Sequence, residues 1–180
     1  MGRNALMKII SSYTLTDLFL TLISASILIL GIVVGYSIST SYEIKAQITT
    51  ANSSSYLSIL YHILATNFSI IAFVSILGYI TCGVLSICII FYNGIRIGET
   101  LNTNSDSVWN VLKFLIGHGI FEILALVLFT GIGLKGYRLY QDLYRNSFSK
   151  GTLPHVNLFI IPTMLLLFAG IIEAFCIKYL

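Results

Sequence analysis

His118 and Glu122 lie four residues apart in Gly117-His118-Gly119-Ile120-Phe121-Glu122, which opens an apolar run to Leu134. On a helix that spacing puts both on one face. A third ionisable group, Glu173, sits inside Leu165-Leu-Leu-Phe-Ala-Gly-Ile-Ile-Glu173-Ala-Phe-Cys-Ile177. An imidazole and two carboxylates can relay protons along a path, form a facial metal set, or close a buried polar network that fixes helix register. Asn67 and Asn93 are candidate partners in the network reading. The metal reading lacks a second nearby histidine, since His155 lies beside Pro154 in a loop-like stretch. No metal or other cofactor is therefore expected.

The elements that must position these groups are hydrophobic helices. The chain has 180 residues, of which 57% are hydrophobic and only 9% charged, against about 25% charged in soluble domains. Its mean hydropathy is +0.92. This composition reads as a polytopic all-α protein of the cell membrane, a single membrane domain over residues 1–180 with the lipid bilayer as solvent. The net charge of +3 gives no ground for nucleic-acid binding. Cys82, Cys88 and Cys176 all fall in apolar runs and read as packing residues.

The hydropathy pattern predicts about four transmembrane helices, over residues 18–37, 68–92, 108–137 and 156–179. Thr16 or Asp17 would cap the first, which reads as an anchor and not a cleaved signal peptide. Gly31-Ile-Val-Val-Gly35 allows close helix approach, within the chain in preference to a homo-oligomer. Residues 56–66 read as an amphipathic interfacial helix, with His62 an interfacial polar residue. The second span would end at Asn93-Gly94 as a C-cap, followed by a polar connection with Arg96 and Glu99. The third region is longer than the ~20 residues a span needs. A break at Gly117-His118-Gly119, near 117–119, would explain this, making it broken or re-entrant. Residues 137–146 read as a second interfacial helix. With Lys135, Arg138 and Arg145 they form a possible partner dock. Arg3 and Lys8 favour an inside N-terminus. Four full crossings would then put Lys135, Arg138, Arg145 and Lys150 outside, against the same rule.

Three stretches carry a resemblance. They are Asn67-Phe68 followed by a span ending Tyr92-Asn93-Gly94-Ile95-Arg96-Ile97-Gly98; Gly117-His118-Gly119-Ile120-Phe121-Glu122-Ile123-Leu124-Ala125 with Gly131-Ile-Gly133; and Ala169-Gly170-Ile171-Ile172-Glu173-Ala174-Phe175. In order and spacing, over about residues 60–178, the chain resembles the stage II sporulation protein M family of integral membrane proteins. It departs from the pattern at Gly117, where members often carry proline, and at Asn67-Phe68, where a paired asparagine is common. The resemblance implies no enzymatic activity. It implies either a transport-linked subunit working with a separate ATP-binding cassette ATPase in bacteriocin-type peptide export or immunity, or a scaffold recruiting cell-wall hydrolases, as in sporulation septa. The residues add no zinc-protease, nucleophile-elbow or phosphate-loop motif.

Overall fold

The structure, a computed structural model, describes residues 14–38, 56–103, 119–145 and 153–179. Among these residues there is helix and no strand. In chain order the helices are α1 (Leu15–Ile38), α2 (Tyr56–Ile80), α3 (Val84–Thr103), α4 (Ile120–Leu134), α5 (Gly136–Tyr144) and α6 (Asn157–Tyr179). Among the described residues five stretches are long and apolar enough to cross a membrane: α1, α2, Val84–Asn102, Ile120–Tyr144 and Asn157–Cys176. The all-α membrane architecture is the expected one. The expected division into four spans is not.

The difference arises at Thr81-Cys82-Gly83, inside the unbroken apolar run expected as one span over 68–92. Cys82 and Gly83 adopt positive φ, 58° and 88°. The Gly83 N–H reaches back to the Gly78 carbonyl at 2.7 Å, which closes α2 in the manner of a glycine C-terminal motif. The Leu85 N–H is then taken by the Thr81 hydroxyl at 3.2 Å as α3 begins. The chain reverses here, and hydropathy cannot register the reversal because no charged or proline residue marks it.

Two further expectations fall with the first. Residues 56–66 are not an interfacial helix but the opening turns of α2. The Thr66 hydroxyl does not interrupt the helix because it bonds back one turn, to the His62 carbonyl at 2.9 Å. Asn93-Gly94 is not a C-cap either, since α3 runs through it to Thr103. α1 is capped by Thr14 instead of Thr16 or Asp17. The Thr14 N–H donates to Asp17 Oδ2 at 2.7 Å and the Asp17 N–H to Thr14 Oγ1 at 3.4 Å, a capping box with aspartate in the acidic role. The upstream part of the third hydrophobic region, including Gly117, lies outside the described residues. The helix on its far side starts after Gly119 at φ 88°.

α1 and α3 form the most extensive helix pair, and the reason is a reciprocal glycine stripe. A Cβ on Gly94 would stand 2.5 Å from the Leu28 carbonyl oxygen and 3.0 Å from the Gly31 Cα, and one on Gly35 would run into the Ile95 backbone. Gly98 meets Ile32 in the same way. Small residues at this spacing let two backbones touch, the main source of helix association where lipid removes the hydrophobic drive. Gly31, Gly35 and Gly94 thus pack within the chain.

α4 is the central helix, in contact with α1, α2, α3 and α6. Its Ala125, Leu126 and Phe129 join Leu28, Ile71, Val74, Ile90, Leu158 and Leu166 in one core. α2 includes a π-helical turn at Phe73–Leu77. There the Gly78 N–H bonds to the carbonyls of Phe73 and Ser75, passing over Val74. The Val74 carbonyl instead accepts the Ser86 hydroxyl of α3 at 2.7 Å, while Gly133 of α4 packs against both groups. α6 tolerates Pro162 at a fully buried position.

Candidate functional site

The helix directions define two ends of the bundle. At one end lie the start of α1, the α2–α3 turn, the end of α4 with α5, and the start of α6. At this end Gly83 meets Leu134, and Gly136 meets the Tyr79 carbonyl. At the other end, between the helices, lies a cavity of about 530 Å³.

Each wall of that cavity contributes polar side chains. From α2 come His62, Thr66 and Asn67. From α3 come Asn93, Arg96 and Thr100, one or two turns apart on one face. α4 supplies Glu122 and α6 supplies Glu173. The remaining lining is apolar: Ile63, Ile97, Ile123 and Leu126.

Local structure sets each group. Glu122 stands in the first turn of α4, three residues after Gly119. A helix N-terminus carries partial positive charge, so a carboxylate is favourably held there. Gly119 must be glycine twice over: its φ is left-handed, and a Cβ would lie 2.9 Å from the Glu122 Cβ. Asn93 donates through Nδ2 to the Ile89 carbonyl at 2.9 Å. Arg96 Nη1 donates to Glu99 Oε2 at 2.7 Å, a half-exposed ion pair one turn along α3. Asn67 is only 8% exposed.

Four of the five residues proposed as a polar network, Glu122, Glu173, Asn67 and Asn93, therefore line one cavity. The fifth, His118, lies outside the described residues. His62, Thr66, Arg96 and Thr100 are added to the lining. Their sequence signal was available: polar residues at helical spacing on one stripe of an apolar helix. It was masked by reading the two stretches as an interfacial helix and a loop. Among the described residues no cluster of three His, Cys, Asp or Glu side chains is placed to hold a metal.

The possible dock is altered as well. Lys135 is buried and forms an ion pair with Asp17, so it is not offered to a partner. Its place between α4 and α5 explains this, because there it meets the first turn of α1. Arg138 and Arg145 remain on α5, with Arg138 packed over the Tyr137 ring.

No curated protein and no solved structure matches the chain. Residues 21–176 match the family described as Stage II sporulation protein M. That match takes in α2, α3 and α4 whole, with most of α1 and nearly all of α6, and the chain belongs to this family of membrane proteins.

Proposed function

We propose that the chain is a multi-pass protein of the cell membrane serving transport, without catalysis of its own. In this reading it works beside a separate ATPase in the export of, or immunity to, a bacteriocin-type peptide. The observation that supports it is the polar cavity between apolar helices, with Glu122 and Glu173 on its walls. Ionisable groups at membrane depth cost about 2.5–3.5 kcal/mol on insertion scales and typically line paths or water-filled cavities.

Five crossings also relieve the charge conflict that four create. Arg138 and Arg145 then share a side with the sequence that carries Arg3 and Lys8, and that side is cytoplasmic by the positive-inside rule. The cavity lies nearer the opposite side. Arg138 and Arg145 are the cytoplasmic dock for the ATPase.

The test is Glu122→Gln, scored by peptide export or immunity and by the amount of folded protein in the membrane. Loss of function at a normal protein level supports transport. Loss of the folded protein assigns Glu122 to packing, and unchanged function removes it from any mechanism. In a scaffold for cell-wall hydrolases the cavity has no work to do, and Glu122→Gln leaves partner recruitment intact.

A further inference from the structure

We propose that α4 carries a proton path from the cavity to the Asp17–Lys135 pair, with the Thr130 hydroxyl as its middle station. This goes beyond the transport of a peptide and does not depend on it.

Thr130 is the first observation. It is fully buried, and its hydroxyl has no hydrogen-bond partner among the described residues. The buried serines of the described residues are all bonded: Ser24 to the Leu20 carbonyl at 2.9 Å, Ser75 to the Ile71 carbonyl at 2.7 Å and Ser86 to the Val74 carbonyl at 2.7 Å. A hydroxyl left unbonded in a core is costly, and valine would fill the same space without that cost. What threonine adds is an oxygen that can accept one hydrogen bond while donating another.

Placement is the second observation. Glu122, Leu126 and Thr130 follow one another at i, i+4 and i+8 along one face of α4. Glu122 and Leu126 line the cavity, so Thr130 lies one turn beneath them. Polar groups continue beyond it. Next to Thr130, Gly131 packs against Thr21 of α1, and a Cβ there would lie 3.2 Å from Thr21 Oγ1. Thr21 donates to the Asp17 carbonyl at 2.8 Å, and the Asp17 carboxylate is paired with Lys135. At 1.5 Å rise per residue, Thr130 stands about 12 Å from Glu122 and about 8 Å from Lys135 along the axis.

Water admitted past Leu126 joins these groups into a relay, the common use of ionisable residues at membrane depth. The Glu122 carboxylate takes a proton from cavity water and hands it down by exchange of O–H bonds. Thr130 accepts a hydrogen from the water above, passes its own to the water below and ends unchanged. The Asp17 carboxylate takes up the proton and releases it to water at the start of α1, which restores the ion pair. One proton enters and one leaves, with no net bond made. At rest the middle is closed by Leu126 with Val74 and Ile90, all in the buried core. Apolar constrictions of this kind gate by dewetting.

The experiment uses the full chain in phosphatidylcholine liposomes holding pyranine, with a valinomycin-set potassium diffusion potential, negative inside. The rate of internal acidification is compared with that of protein-free liposomes. The chain should acidify them faster, and Leu126→Ala, which thins the constriction, faster again by at least threefold. Thr130→Val should lose at least nine-tenths of the rate in both backgrounds, whereas Thr130→Ser should stay within twofold. Asp17→Leu combined with Lys135→Met should lose as much as Thr130→Val. In detergent, Thr130→Val should unfold at or above the wild-type temperature, because no hydrogen bond is lost. A lowered midpoint shows a fixed partner for the hydroxyl and overturns the proposal. So does a rate unaltered by Thr130→Val or by the double variant. Acidification no faster than in protein-free liposomes, for both the wild type and Leu126→Ala, overturns it as well. Sodium influx that keeps pace with the protons overturns it in favour of an unselective leak.

Discussion

The Asp17 carboxylate and the Lys135 ammonium meet in a buried ion pair that fastens the first turn of α1 to the end of α4. Asp17 also takes the Thr14 N–H and hydroxyl, so one carboxylate both caps a helix and joins two. Removing one partner of such a pair leaves an uncompensated buried charge, at about 3–5 kcal/mol. Lys135→Met should therefore lower the unfolding free energy in detergent by that amount. Asp17→Leu combined with Lys135→Met should recover most of the loss, short of about 1 kcal/mol for the missing cap. Denaturant titrations of the single and double variants decide it, and a double variant no better than the single refutes it.

The glycine stripe gives a graded prediction. At Gly94 an added methyl would press on backbone, the Leu28 carbonyl oxygen at 2.5 Å. At Gly170 it would press on the end of the Leu64 side chain at 2.7 Å, which can swing aside. Gly94→Ala should cost about 1–3 kcal/mol, the usual range for overpacking, and Gly170→Ala clearly less. Thermal unfolding of the two variants side by side tests the order.

Cys82 stands exposed at the tip of the α2–α3 turn. In a variant with Cys88→Ala and Cys176→Ala it becomes the single thiol. In right-side-out vesicles a membrane-impermeant maleimide should leave it unlabelled, while inverted vesicles label it. In a chain lacking all three native cysteines, Thr100→Cys should show the reverse. Labelling of both thiols from one side would refute five alternating crossings.

Ser86 donates across the bundle to the Val74 carbonyl at 2.7 Å and is fully buried. Ser86→Ala should cost about 1–3 kcal/mol through the stranded carbonyl. Ser69, an exposed residue bonded to the Ala65 carbonyl of its own helix, offers a contrast. Ser69→Ala should stay within about 0.5 kcal/mol, as for surface changes in general. Equilibrium unfolding in micelles measures both, and equal costs would count against the role given to the π-helical turn.

Helical class, membrane location and family were legible in composition and in three short stretches. The number of candidate spans was not, because a single turn decided it. Thr81-Cys82-Gly83 contains one residue of ordinary turn type, and Cys82 takes a positive φ that its side chain gives no reason to expect. Once that turn was read through, His62 and Arg96 were misplaced, one to the interface and one to a loop. Gly94 misled in a related way. A glycine after asparagine suggests a helix end, whereas here it is the flat surface on which Gly31 rests. Glu122, Glu173, Asn67 and Asn93 were legible because a polar group in an apolar run has few bland explanations.

The close backbone approaches that join α4 to the α2–α3 hairpin, at Gly83, Gly133 and Gly136, crowd toward one end of the bundle. These contacts set main chain against neighbouring side chain and backbone with no room for a methyl, so a substitution there must shift a helix, whereas one on the cavity wall at the far end faces open space.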